Sequence, residues 1–170
     1  MTNQLAKLPQ NIQALIGEIG EKQVMLRLCL LVHDTPWEVF HNLGETGYDI
    51  LLIKPPTGER IRIEVKARQY LYTTTTKPLR VLFFLTDREY RACDFLVAYF
   101  LDHNGFYVVP MKDLKEAHSD TKTLWRFGLT MNSRGEPHPH FAQYRDAWTS
   151  IHPDFAGKGV RRWAPQPSSV

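Results

Sequence analysis

The sequence predicts an α/β (α+β) fold in one domain, on three observations. A long unbroken helical pattern opens the chain, hairpin-rich strand patterns follow, and mixed elements close it. A chain of 170 residues fits one domain with a sizeable core. Residues 1–155 are expected to form that domain, with 115–155 as a C-terminal elaboration and 156–170 as a flexible basic tail.

Between residues 11 and 32 only Gly17 and Gly20 interrupt a helical pattern. Ile12, Leu15, Ile16, Ile19, Leu26 and Leu30 form one apolar stripe at helical spacing. A second stripe, Val24, Met25, Leu28, Leu31 and Val32, predicts a later half buried on most sides. Asp34, Thr35 and Pro36 end the helix. A strand pattern spans 37–43, followed by a turn at 44–47. Two more strand patterns, 48–54 and 60–66, are joined by the turn signal Pro55-Pro56-Thr57-Gly58.

Residues 70–77, with four consecutive threonines, predict a loop or a frayed edge, and 79–85 a strand. Thr86 with Glu89 three residues on has the pattern of a capping box for a short helix. Asn104-Gly105 lies between the apolar runs 95–101 and 106–110 and marks the clearest hairpin. Residues 124–130 predict a strand, and 141–151 a short helix with Tyr144 and Trp148 on one side.

Composition narrows the class. No apolar run approaches the roughly 20 residues that span a bilayer. The N-terminus lacks a basic-then-apolar leader pattern, so a cytoplasmic or nucleoid-associated protein is expected. Cys29 and Cys93 sit in apolar stretches and are expected to be buried free thiols with packing roles. The net charge of +3 is too small to name a partner, but its distribution is uneven. Residues 54–91 hold nine Lys/Arg against four Asp/Glu, and residues 122–170 hold seven against three. Basic segments around an acidic cluster suit a polyanion gripped about a metal; solvated basic faces are the alternative.

Hairpin register supplies the acidic cluster. If 55–58 form a four-residue loop, Lys54 pairs with Glu59, and the same register places Asp49 across from Glu64. Cross-strand partners share a face with Cβ atoms roughly 4.5–5.5 Å apart, and Lys66 returns to that face two steps on. Opposed carboxylates repel unless a cation lies between them or one is protonated. Oxygen ligands with room for water and phosphate suit Mg²⁺ better than Zn²⁺. Lys66 would then lie near an attacking water or a phosphate oxygen. Ile50, Leu52, Ile61, Ile63 and Val65 fall on the other face, available to the helix. Glu21, followed by Val24, Met25 and Leu28, is the helix acid on an apolar face, where an unpaired acid is costly unless it serves a site. Glu18 instead has Lys22 at i+4 and reads as a solvated ion pair.

Together these motifs resemble the PD-(D/E)XK nuclease superfamily. The resemblance is carried by Gly17-x-x-Gly20-Glu21, Gly47-Tyr48-Asp49-Ile50-Leu51 and Ile63-Glu64-Val65-Lys66. Asp94-Phe95-Leu96-Val97-Ala98-Tyr99 and Tyr107-Val108-Val109-Pro110 are similar to its later core strands. The likeness covers about 12–114 and is greatest to intron-encoded homing endonucleases of this fold, more distantly to archaeal Holliday-junction resolvases. Tyr48 stands where the motif's name has proline.

The resemblance implies a restriction-endonuclease-like αβββαβ core, a mixed central sheet flanked by helices, and Mg²⁺-dependent hydrolysis of DNA, with Mn²⁺ able to substitute. Asp49 and Glu64 would bind the metal with the Val65 backbone carbonyl, Lys66 would orient or activate water, and Glu21 would act through a metal-bound water. Candidate nucleic-acid contacts are Arg68, Gln69, Lys77, Arg161 and Arg162. The implied partner is double-stranded or branched DNA. A homodimer or higher homo-oligomer is expected, because one small core cuts one strand.

Other constellations are weaker. His138-Pro139-His140 lacks a matching pair at zinc spacing and reads as a polar loop. Trp125 and Trp148 read as packing residues, whereas Trp163 beside Arg161 and Arg162 could stack on a base. Three function classes stay open: an endodeoxyribonuclease with a homing or restriction-like role (or junction resolution or repair), a DNA-binding module without activity, and a partner-binding protein with an accidental motif.

Overall fold

The helical pattern forms α1 (Gln10–Val32), and its end at His33 is followed by Asp34 in a left-handed conformation (φ 62°). The computed structural model describes residues 8–44, 47–69, 80–119, 122–132 and 136–156. Three strands follow the helix: β1 (Glu38–His41), β2 (Ile50–Lys54) and β3 (Glu59–Arg68). Next come β4 (Arg80–Thr86), α2 (Asp87–Ala92), β5 (Phe95–Phe100), β6 (Gly105–Pro110), β7 (Lys115–Ser119) and β8 (Lys122–Thr130). Short 3-10 turns make up most of the described segment after β8. Among the described residues no helix is long and apolar enough to cross a membrane.

A five-stranded sheet runs β1-β2-β3-β5-β6, antiparallel except for the parallel β3–β5 pair, and a separate antiparallel sheet runs β4-β8-β7. Strand alternation divides the large sheet's two faces between two cores. On one face Ile50, Leu52, Ile61, Ile63 and Val65 pack with Val24, Leu28, Leu31 and Val32 of α1, as their register predicts. On the other, Leu96, Ala98, Tyr107 and Val109 pack with Val81, Phe83, Leu85, Phe127 and Leu129 of the small sheet. Helix α1 flanks the first face, and α2 lies at the second with Tyr90 and Ala92 packed against its core. The second face is covered mainly by β4, β8 and β7, because β4 turns its apolar alternation onto it instead of joining the large sheet.

Helix phase is corrected as well. The buried stripe is Ile16, Gly20, Val24, Leu28, Leu31 and Val32. Ile12, Leu15, Leu26 and Leu30 of the first predicted stripe face outward, as does Cys29, which is exposed and not a buried thiol. Periodicity detects a face without saying which of two apolar faces meets the sheet. Gly20 decides it, since a Cβ there would overlap Cβ of Ala67 on β3. Gly20→Val should force α1 away from β3 and lower stability by about 2 kcal/mol, roughly 4–8 °C in thermal midpoint. An unchanged midpoint would show that the helix does not sit this closely on the strand.

Past residue 110 one strand is unanticipated and one prediction fails. Strand β7 has no clear sequence signal. Residues 141–151 are two 3-10 turns broken at Asp146 (φ 50°), so Tyr144 packs on one core and Trp148 on the other.

Candidate active site

The β2–β3 register pairs Lys54 with Glu59 and Ile50 with Ile63, as the four-residue loop predicts. The ladder stops there. Asp49, one residue before β2, donates its N–H to the Ile63 carbonyl (3.0 Å) and accepts the Asn42 N–H at its own carbonyl (2.8 Å). Its carboxylate Oδ2 accepts the Val65 N–H (2.7 Å), taking the place a neighbouring strand would fill. Asp49 and Glu64 are thus neighbours, but through this side-chain bond and not as a ladder pair. N–H and C=O of one strand residue point to the same side, so the Val65 carbonyl also faces the Asp49 edge.

The turn before Asp49 is specified locally. Gly47 holds φ 85°, which costs a side-chain-bearing residue, and Ala92 of α2 lies where its Cβ would project. The Cys93 thiol donates to the Gly47 carbonyl (3.1 Å), and Asn42 Nδ2 donates to the Tyr48 carbonyl (2.8 Å). Cys93 is buried, and burial with the nearby Glu64 and Asp49 charges pushes its thiol far up. A thiol held neutral is a packing and turn-bracing group, not a nucleophile.

Glu64 is 3% exposed, the one fully buried charged side chain among the described residues. Its Oε1 accepts from Lys66 Nζ at 2.6 Å, and the same ammonium donates to Glu89 Oε1 at 2.8 Å. Glu89 was legible in the sequence only as a helix cap. It does cap α2, its Oε2 accepting from the Thr86 N–H (2.6 Å) while Thr86 Oγ1 accepts from the Glu89 N–H (3.3 Å). Its second oxygen anchors Lys66, a role that sequence spacing could not reveal because α2 and β3 meet only in the fold.

Burial pushes Glu64 up to about 8; Lys66 opposes this, and the Asp49 and Glu89 charges add to it. Burial, offset in part by the Val65 N–H, also raises Asp49, and Glu21 contributes in the same direction. Burial acts to lower Lys66, but Glu64 and Glu89 outweigh it and hold the ammonium above the usual lysine range. Burial acts to raise Glu89, yet hydrogen bonds from Lys66 and Thr86 leave it below the usual carboxylate range.

Four acids therefore act on one another around a single lysine. That is a cation deficit, which a proton on Glu64 or a bound divalent ion would relieve. The donors are hard oxygens, which fit Mg²⁺. No three His, Cys, Asp or Glu side chains among the described residues converge as a metal cluster. A metal beside Asp49 and Glu64 would thus complete its shell with a backbone carbonyl and with water or phosphate oxygens, which Mg²⁺ tolerates.

Glu21 is brought to the same edge by α1, directly after the close approach at Gly20. It is not unpaired: its Oε2 lies 3.3 Å from His41 Nε2 of β1. Arg68 lies farther along β3, its Nε donating to the Leu82 carbonyl (3.4 Å), and Gln69 follows it, half-buried. Lys77, Arg161, Arg162 and Trp163 lie outside the described residues. Trp125 stacks on Tyr90 (centroids 3.6 Å apart) and Trp148 is buried, the packing roles expected of both.

No protein-family model matches the chain, and no curated protein does. Among solved structures the chain is similar to a bacterial homing endonuclease, with TM-score 0.51 and 22% identity over 81% of this chain and 91% of that one. It is also similar to a Holliday junction resolvase from the archaeal hyperthermophile Archaeoglobus fulgidus, with TM-score 0.46 and 13% identity over 65% and 82% of the two chains. With its mixed central sheet and few helices, the fold is similar to that of restriction-endonuclease-like nucleases, as the sequence motifs led one to expect.

Proposed function

We propose that this protein is a Mg²⁺-dependent endodeoxyribonuclease. The observation that carries the proposal is the Glu64–Lys66–Glu89 bridge beside Asp49, in which Glu64 is buried and an excess of acids surrounds a lysine held charged. Asp49 and Glu64 would hold the metal together with the Val65 carbonyl, and Glu21 would assist through a water on it. Bound Mg²⁺ supplies a water of lowered pKa and neutralises charge on the phosphate.

Lys66, kept protonated by two acids, is poorly suited to remove a proton. It acts instead as a donor that orients the attacking water or binds a phosphate oxygen. Arg68, Gln69, Lys77, Arg161 and Arg162 are proposed DNA contacts. A homing or restriction-like role is favoured, with two copies acting together to cut both strands. Junction resolution and repair use the same chemistry and differ in substrate.

Wild-type protein should nick or linearise plasmid DNA with Mg²⁺ or Mn²⁺ and not with EDTA. Sequencing of cleavage ends from a random library, with a four-way junction alongside, would identify the substrate. Binding without cleavage in either metal would leave a DNA-binding module instead. Light scattering of free and DNA-bound protein tests the homodimer; one copy per site would reject it.

The raised Glu64 pKa gives a second test. An acid whose folded pKa lies above its unfolded value holds extra protons when folded, so its contribution is full below the unfolded pKa and is lost as pH rises. Between about 4.5 and about 8 the metal-free protein should therefore lose stability. The raised Asp49 acts in the same sense, Lys66 titrates above this window, and Glu89, lowered, acts only below it. Thermal midpoints should fall by roughly 5–10 °C across the window, and Mg²⁺ should recover most of the fall at the upper end. A flat metal-free profile would mean that Glu64 is not held as described.

A further inference from the structure

The small sheet has an outer face that neither core uses. Val81, Phe83 and Leu85 of β4 point inward, so Arg80, Leu82 and Phe84 point outward, paired across β8 with Thr130, Gly128 and Arg126. Lys115 of β7 lies directly opposite Arg126. Arg80, Lys115 and Arg126 line a groove of about 470 Å³ whose walls include none of Glu21, Asp49, Glu64 and Lys66.

Like charges placed directly across a ladder are destabilising. Here Lys115 opposes Arg126, and among the described residues none of the three groove cations has an acidic partner. The acid that lines the groove, Asp113, is engaged at 3.2 Å by the Tyr144 hydroxyl. Exposed His138 and His140 form one wall; His138 Nδ1 accepts the His140 N–H (3.4 Å), which leaves the proton of a neutral His138 ring on Nε2, as a donor. The groove thus gathers three cations with imidazole and hydroxyl donors and one hydrogen-bonded carboxylate, over the apolar side chains of Leu82, Phe127 and Phe141. Gly128 puts no side chain between them.

The groove is also tied to the acidic site. Arg68, two residues past Lys66 on β3, donates to the carbonyl of Leu82, itself a lining residue. Arg68 thereby links the strand that carries Glu64 and Lys66 to the strand that carries Arg80.

We propose that this groove binds the phosphate backbone of DNA outside the catalytic centre, with Arg80, Lys115 and Arg126 as the contacting cations. The choice of DNA among extended polyphosphates rests on the nuclease reading. Each cation that neutralises a phosphate adds about one unit to the slope of log affinity against log salt.

The test is fluorescence anisotropy of a labelled duplex with the full chain in EDTA, across a series of salt concentrations. Lys115→Gln/Arg126→Gln should weaken binding about tenfold at low salt and reduce the salt slope by about two. Arg60→Gln, which removes an exposed cation from β3 outside the groove, is the charge control and should change affinity less than twofold. Should the double variant lose thermal stability, Lys115→Gln alone, at an exposed position, should reduce the slope by about one.

Equal slopes in wild type and variants, or a loss matched by Arg60→Gln, would overturn the proposal. So would a wild type that does not bind duplex. Because the readout is metal-free binding, a wild type that binds through the groove yet never cuts would refute the nuclease reading and leave the groove standing.

Discussion

Asp49→Ala should reduce Mg²⁺-dependent cleavage by roughly 10³-fold or more, the largest effect expected of any single substitution in this protein. Two functions are lost together. The carboxylate that would hold the metal disappears, and so does the acceptor of the Val65 N–H, which loses its 2.7 Å partner at the end of the β2–β3 ladder. Asp49→Asn separates the two, because an amide oxygen can still accept that N–H while carrying no charge. It should keep a near wild-type thermal midpoint and still fail to cleave. If Asp49→Asn cuts plasmid at the wild-type rate in Mg²⁺, the metal assignment is wrong, whatever the alanine variant does.

Lys66→Met is expected to have the second largest effect, on both rate and stability. Without the ammonium, the cleavage rate should fall by roughly 10²–10³-fold, the loss typical of removing one donor to developing charge. Stability should drop too, since Glu64 and Glu89 lose their shared cation and Glu64 is buried. Breaking a fully buried pair costs about 3–5 kcal/mol; the Lys66 side chain is 30% exposed, so about 1–3 kcal/mol is expected at pH 8. The cost should grow as pH rises above about 8, because Glu64 then ionises beside Lys66 in the wild type and has no partner in the variant. Lys66→Arg supplies the contrast: a retained charge should spare stability, while a broader, planar head displaces the donor and leaves cleavage impaired. Wild-type turnover by Lys66→Met would remove Lys66 from the reaction.

These expectations show which parts of the site were legible beforehand. Asp49, Glu64 and Lys66 could be picked out because a strand repeats every second residue and the Pro55–Gly58 turn sets its register; the pairing of Lys54 with Glu59 followed from loop length alone. Glu21 could be separated from Glu18 by helix phase, and it does lie close enough to Asp49 to raise its pKa. Glu89 was visible but misjudged as only a cap, since its contact with Lys66 spans 23 positions and depends on how α2 docks. His41 beside Glu21 had no sequence signal for the same reason.

Local periodicity and turn chemistry were enough for the sequence to determine the helix, the motif hairpin, the capping box and the Asn104-Gly105 turn, because each depends on neighbours within a few residues. Only the tertiary structure decided which apolar face of α1 is buried, that β4 leaves the large sheet to build a second one, and that Asp49 stands outside the ladder with its carboxylate on the Val65 N–H. Those outcomes turn on close approach between distant segments, such as Gly20 against Ala67, and on where burial leaves charge uncompensated. Neither has a period that a sequence can display.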